Sequence, residues 1–427
     1  MSERLYYTDP NLTEFDATYL ESRHVAGQLA LVLDRTAFYP TSGGQLHDTG
    51  WLLETGSGTK LRVSEVAEGE DGSVLHYVET PADDFFPLAI KRDVPVRGVI
   101  DAPRRRDHMQ QHTGQHLLSA VFIELLNAPT VSFHMGDENC TIDLYVKSLG
   151  VEQIREAERR CNEIITDDVP VAIKFATLEE ACALGVRKIP ADLKDTLRLI
   201  EIRGHDLTAC GGTHVSRTGE IGSILLRKTE KVKQGVRVEF VCGGRAIRTA
   251  RKDFETLTSA AALFSSHIYD IPEQIRKNAD EAKAAGKRQQ KTLAELAEFM
   301  AAAMLADATD RVALVSGAAS DAKAGSIRLV KRAFTDRDVA FVKLLAQKLS
   351  TQPNVVALLG AASPQPSLVF AQSAGGGFDM GNLMKEAMAA AGGRGGGSRD
   401  MAQGGAPAGA DVQALLDSVA SKITNAS

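Results

Sequence analysis

Two short stretches of this sequence carry side chains whose types and spacing suit metal coordination. In Gln111-His112-Thr113-Gly114-Gln115-His116 two histidines stand four residues apart. The run that follows, Leu117 to Leu126, is strongly helix-forming, mostly apolar and free of proline. Residues i and i+4 share one helix face, so both imidazoles can reach one ion. Two histidines alone are a weak signal, because either serves as well as an ordinary core or surface residue. About a hundred residues on, Cys210-Gly211-Gly212-Thr213-His214 again spaces two donors four apart. Its glycines let the backbone turn tightly and aim both side chains at one point. His112, His116, Cys210 and His214 then make an N/S donor set of the kind that borderline-soft Zn2+ accepts tetrahedrally, one ion per chain.

His-Thr-Gly-Gln-His-Leu-Leu followed by Cys-Gly-Gly-Thr-His resembles the editing domain of alanyl-tRNA synthetase and its freestanding relatives, the AlaX proteins. Threonyl-tRNA synthetase carries a related domain, but the Cys-Gly-Gly-Thr-His form is of the alanyl type. The resemblance covers essentially the whole chain and implies a long-form AlaX-type trans-editing hydrolase. Its expected substrate is tRNA-Ala mischarged chiefly with serine, or with glycine.

Phe38-Tyr39-Pro40-Thr41-Ser42-Gly43-Gly44-Gln45 reads as a loop by composition. Alanyl-type editing domains carry a similar loop near the metal. The resemblance therefore implies that Thr41, Ser42 and Gln45 line an amino-acid pocket, with Thr41 and Gln45 in the catalytic set and Ser42, Gly43 and Gly44 binding substrate. A partner for the substrate hydroxyl would reject alanine, because that partner is left unpaired when the hydroxyl is missing. The family's Asp-x-x-Arg-Arg lead-in falls on Asp101, Arg104 and Arg105. These arginines suit phosphates of the tRNA acceptor end, and equally suit surface ion pairs. Full-length synthetases often have glutamine where this chain has Phe133 or His134; His134 is accordingly either a catalytic or pocket residue or a structural one.

The 427 residues allow two to four domains, and 44% apolar with 24% charged residues is ordinary for a soluble globular protein. No apolar run reaches membrane-span length, and Met1 to Tyr7 lacks a signal-peptide pattern, so the expected compartment is the cytoplasm. Five scattered cysteines make no disulfide framework. A net charge of −6 gives no global sign of nucleic-acid binding. Local clusters do: Arg104-Arg105-Arg106, and the set Arg227, Lys228, Lys231, Lys233 and Arg237, either RNA contacts or solvated surface charges.

The fold class expected is α+β multidomain. Residues 1–98 read as a small β-barrel, 99–248 as a zinc-binding α+β editing domain, 249–309 as a helical linker and 310–427 as a glycine-rich α/β domain. Expected elements include a strand over Arg198 to Ile202 ahead of the Cys-Gly-Gly-Thr-His stretch, a spacer helix from Pro272 to about Leu305, and strands at 312–316, 355–360 and 367–371. Gly392 to Gly405 suits a flexible linker by composition. It also resembles the C-terminal motif of alanyl-tRNA synthetases and of domains associated with DHH phosphoesterases, which implies RNA contact or homodimerisation. Arg394 and Arg399 would add charge beside backbone amides there.

A barrel beginning near residue 1 leaves no room for an aminoacylation domain, so editing in trans is expected. The zinc would polarise the ester, activate water, or hold and orient the substrate. The alternative function is a non-catalytic zinc-containing RNA-binding protein. A zincin needs Glu after the first histidine and this chain has Thr113; a DHH phosphoesterase needs a second histidine where Met109 stands.

Overall fold

The computed structural model describes residues 2–56, 58–79, 93–187, 196–308, 311–313 and 326–425. The chain divides into two compact units, Met1–Ala260 and Ala261–Ser427.

The first unit opens with a closed six-stranded barrel: β1 (Glu14–Val25), β2 (Gln28–Leu33), β3 (Gly50–Glu54), β4 (Lys60–Glu68), β5 (Val74–Glu79) and β6 (Val94–Ile100), paired in the order β1-β2-β5-β4-β3-β6. Alternation at period two sends Leu61 and Val63 of β4 inward with Phe15, Leu33 and Leu52, and a bulge between Val63 and Glu65 shifts the alternation so that Val66 follows them. Strand β6 leads straight into α1 (Ala102–Leu126), which has Pro103 in its first turn and Asn127 in the left-handed conformation as its C-cap. From His108 to Phe122 nearly every residue of α1 is buried, so it is a central helix and not an amphipathic surface one.

Around α1 stand a four-stranded sheet and a three-stranded one. The first is made of β7 (Thr130–Met135), β8 (Cys140–Leu144), β12 (Ile224–Val232) and β13 (Gly235–Cys242), in the order β12-β13-β8-β7. The second is β9 (Val171–Thr177), β10 (Thr196–Ile202) and β11 (Asp206–Ala209). Leu117, Leu118, Val121 and Phe122 of α1 share one core with Ile142, Val238 and Phe240 of the first sheet and with Cys161 and Ile164 of α2 (Val151–Thr166). Gly114, between the two histidines, makes that approach possible: a Cβ there would lie 2.3 Å from Cys242 Sγ. Thr177 caps α3 (Leu178–Ala183), with Glu180 completing a capping box. Strand β11, which runs directly to Cys210, was not anticipated.

Helix α4 (Gly243–Leu263) crosses the boundary between the units, and α5 (Ile271–Asp307) belongs to the second. The expected linker is therefore only partly a spacer. Ala297 and Ala301 of α5 are buried in a core with Leu345 and Leu349 of α6 (Val339–Ser350). The second unit has a six-stranded sheet of β14 (Arg311–Ala313), β15 (Ser326–Phe334), β16 (Val355–Ala361), β17 (Ser367–Gln372), β18 (Arg394–Gly397) and β19 (Met401–Gly405), in the order β14-β15-β16-β17-β19-β18. Residues 314–316 of the strand expected at 312–316 lie outside the described residues. Ala357 and Leu359 face α5 and α6, while Val356 and Leu358 face α7 (Met380–Ala391) and α8 (Val412–Asn425). The glycine-rich stretch is not a linker but the edge hairpin β18–β19. Its glycines admit α7: Cβ atoms on Gly395 and Gly404 would lie 2.8 and 2.5 Å from Met388 Cγ. No described helix is long and apolar enough to cross a membrane.

Candidate metal centre

Helix α1 presents His112 and His116 from successive turns, and the loop after β11 presents Cys210 and His214. Their donor atoms all lie within 4.8 Å of one another. Cys210 Sγ stands 3.5 Å from His112 Nε2 and 3.3 Å from His214 Nε2. The edge of a tetrahedral zinc site with Zn–S about 2.3 Å and Zn–N about 2.0–2.1 Å is roughly 3.5 Å, so this spacing fits a zinc ion.

Each imidazole has a polar neighbour at its other nitrogen. His112 Nδ1 donates to Gln45 Oε1 at 2.7 Å, His214 Nδ1 stands 3.2 Å from Thr113 Oγ1, and His116 Nδ1 faces Asp206 Oδ2 at 3.3 Å. Such partners fix the tautomer and turn Nε2 toward the metal position. Gln45 is itself fixed: Thr213 N donates to its Oε1 at 3.0 Å and its Nε2 donates to Thr213 Oγ1 at 2.8 Å. Asp206 also accepts from Arg187 Nε at 2.9 Å. Burial opposes ionisation of Cys210, but the three histidines outweigh it and hold the thiol well below its usual range, favouring the thiolate that binds metals. Burial likewise opposes charge on His116, yet the Cys210 sulfur and Asp206 raise it to about 9.

The two glycines of Cys210-Gly211-Gly212-Thr213-His214 act differently from the tight turn expected of them. Neither has a left-handed backbone. Gly212 instead makes room: its Cβ would lie 2.2 Å from His112 Cε1.

His112, His116 and Cys210 border a cavity of about 360 Å3, walled also by Tyr39, Ser42, Gly43, Gln115, Thr130, Phe133 and Arg187. Phe133 stacks on His112 with ring centroids 5.5 Å apart. Gln115 Nε2 donates to Ser119 Oγ at 2.8 Å, and Ser119 Oγ meets Thr130 Oγ1 at 2.6 Å.

Several residues expected at the site are elsewhere. Thr41 does not line the cavity; it is exposed, with its hydroxyl 3.0 Å from His47 Nδ1. Gln45 is fully buried behind His112, which makes it a positioning residue. Gly44 accepts from Met135 N at 3.1 Å and ties the loop to β7 without lining the cavity. His134 is exposed and outside the cavity lining, because strand alternation turns its neighbour Phe133 inward. Arg105 is unavailable to phosphate: it is 1% exposed and spends its guanidinium on Asp48, Pro10 O and Ala37 O. Arg104 Nε donates to His47 O at 3.0 Å. Arg227, Lys228 and Arg237 pair with Asp253, Glu230 and Asp143. Lys231, Lys233, Arg394 and Arg399 are exposed.

Asp206, Arg187, Gln115 and Thr130 were missed. Asp206 had one signal, an acidic residue four places before Cys210 on a short alternating run.

Residues 6–102 match the tRNA synthetases class II (A) family, 197–238 the Threonyl and Alanyl tRNA synthetase second additional domain, and 329–425 the DHHA1 domain. The alanyl-tRNA editing protein AlaX-L of Pyrococcus horikoshii is 30% identical over 412 residues, 95% of this chain and 94% of that protein. The alanine–tRNA ligases of Halorubrum lacusprofundi and Methanobrevibacter smithii are 31% and 30% identical over 98% and 95% of this chain. The chain spans 43% and 44% of those ligases. With its similarity to AlaX-L running through both units, the chain belongs to the family of alanyl-tRNA editing proteins.

Proposed function

We propose that the chain hydrolyses the ester of tRNA-Ala mischarged with serine, releasing serine and intact tRNA. The observation that carries this reading is that three members of the N/S donor set, His112, His116 and Cys210, form one wall of a cavity that the Thr130 hydroxyl also borders. A zinc ion held by His112, His116, Cys210 and His214 supplies Lewis acidity toward a carbonyl oxygen or an anchor for an amino group. The protein's own groups do the selecting. Gln115 donates to Ser119, whose hydroxyl shares a hydrogen bond with Thr130; in the orientation where Ser119 donates, the Thr130 proton is left for a serine hydroxyl. Alanine leaves that half-buried partner without the substrate hydroxyl, a penalty of at most about 1–3 kcal/mol. Phe133 and Tyr39 give the cavity apolar walls that limit water around the bound amino acid.

The test is deacylation of seryl-tRNA-Ala beside alanyl-tRNA-Ala, with zinc measured on the same sample. Rapid loss of serine with alanine spared is expected. Stoichiometric zinc and tight tRNA binding without hydrolysis would replace this reading with a non-catalytic zinc-containing RNA-binding protein.

A further inference from the structure

Beyond the metal cavity, the first unit carries a groove lined by lysines and by no carboxylate among the described residues. Lys147 lies in the segment after β8, Lys231 at the end of β12 and Lys233 in the turn to β13; all three are exposed and line one groove with Tyr145. The other cations of the β12–β13 hairpin have acidic partners: Arg227 with Asp253, Lys228 with Glu230, Arg237 with Asp143. Among the described residues, Lys147, Lys231 and Lys233 have no acidic side chain in ion-pair contact. Uncompensated positive charge is therefore concentrated at one end of the sheet. Tyr145 stands at the same place with 68% of its surface exposed, so its ring is open to a stacking partner.

The register ties this end of the sheet to the cavity. Thr130 pairs with Leu144, Leu144 with Val236, and Val236 with Lys231, one row across four strands. Three strand spacings of about 4.8 Å put Lys231 roughly 14 Å from Thr130, which borders the cavity. Tyr145 N donates to Pro129 O at 2.9 Å, holding the aromatic segment beside the start of β7. Gly235 lets the hairpin turn close against that segment, since a Cβ there would lie 1.9 Å from Leu144 O.

We propose that Tyr145, Lys147, Lys231 and Lys233 form a docking surface for a single-stranded RNA segment whose end enters the metal cavity, the lysines meeting phosphates and the Tyr145 ring stacking on a base. Lysines tracking a backbone beside an exposed aromatic are the elements by which proteins hold unpaired nucleotides. An acidic protein partner would use the lysines and leave the ring without a stacking base. This surface rests on the tRNA reading above and adds where the strand runs.

The test uses the full chain and uncharged tRNA-Ala, titrated between about 50 and 200 mM salt. The triple variant Lys147→Ala/Lys231→Ala/Lys233→Ala is expected to lose at least about tenfold in affinity and to lower the salt slope by about 2, since each phosphate contact contributes about 0.7–0.9. Tyr145→Ala should weaken binding about tenfold with the salt slope kept, and Tyr145→Phe should restore it, because stacking needs the ring alone. Lys228→Ala, whose charge Glu230 already offsets, should change affinity less than twofold. Zinc content and the unfolding midpoint, measured on every variant, show that the site and fold persist. Unchanged affinity and slope in the triple variant, in a protein that still binds and deacylates tRNA, overturn the surface and leave the function standing. Tight binding of wild type to an acidic polypeptide but not to RNA overturns both.

Discussion

The imidazole of His112 fills the space where a side chain on Gly212 would begin: a Cβ would lie 2.2 Å from His112 Cε1 and 2.4 Å from its Nδ1. Gln45 Oε1 would be 2.9 Å away, so the new methyl would press on the ring and on the group that orients it. Gly212→Ala is expected to displace His112 and to lower bound zinc from one per chain to a small fraction, with deacylation falling at least about tenfold. Gly211→Ala is the matched comparison, because its Cβ meets nothing closer than Tyr7 OH at 3.6 Å. It should retain its metal. Equal zinc content in the two variants would remove the steric account.

Gln45 offers a second way to disturb the same histidine without adding volume. Gln45→Leu removes the acceptor for His112 Nδ1 and leaves Thr213 N without the partner it has at 3.0 Å. Loss of such an orienting partner lowers metal affinity by about 10–100-fold. Competition with a chelator reads that shift directly. Asp206→Asn should act the same way through His116, whose Nδ1 faces the carboxylate at 3.3 Å.

The proposed selection of serine over alanine rests on a hydroxyl in the cavity, and the two threonines separate the alternatives. Thr130 borders the cavity and Thr41 does not. Thr130→Val removes a partner for the serine hydroxyl and is expected to cut the serine-to-alanine ratio of kcat/KM by roughly tenfold, the equivalent of about 1.4 kcal/mol. Thr41→Val loses only the contact with His47 and should leave the ratio near wild type. The reverse ranking would place selection in the loop at 38–45.

The gathering of His112, His116, Cys210 and His214 was legible because it rests on local rules. An i, i+4 pair on a helix shares a face whatever surrounds it, and a Cys-x-x-x-His stretch holds two donors close together. Strands such as β4 were legible for the same reason, since period two shows in the residues themselves. What was hidden depends on pairing between distant segments. Arg105 reads as a surface cation until Asp48, Pro10 and Ala37 close around it. His134 and Phe133 are adjacent letters, and only the register of β7 against β8 decides which faces the cavity. The glycines of 392–405 suit a linker and a structured motif alike, because glycine is equally common where a helix must lie close on a strand, as α7 does on β18 and β19.

His76 makes the stability of the first unit depend on pH. It is fully buried, with Nδ1 3.0 Å from Leu31 O and Nε2 2.8 Å from Thr36 Oγ1. The neutral ring donates from Nδ1 and accepts at Nε2, so a second proton would meet a hydroxyl that already accepts from Phe38 N. Burial pushes the group from 6.5 down to about 4, with the bond to Leu31 O opposing. Because the folded value lies below the unfolded one, the unfolded chain takes up the proton first as pH falls. This contribution to stability is whole above about pH 6.5, declines between about 6.5 and 4, and amounts to roughly 3 kcal/mol across that window. In His76→Gln, which cannot titrate, the slope of unfolding free energy against pH should be shallower than wild type by up to about 1.4 kcal/mol per unit in that range. Urea unfolding of both proteins, followed through Trp51 of the barrel at several pH values, gives the two slopes. Parallel slopes would mean that His76 keeps the same protonation in both states and that another group governs the acid limb.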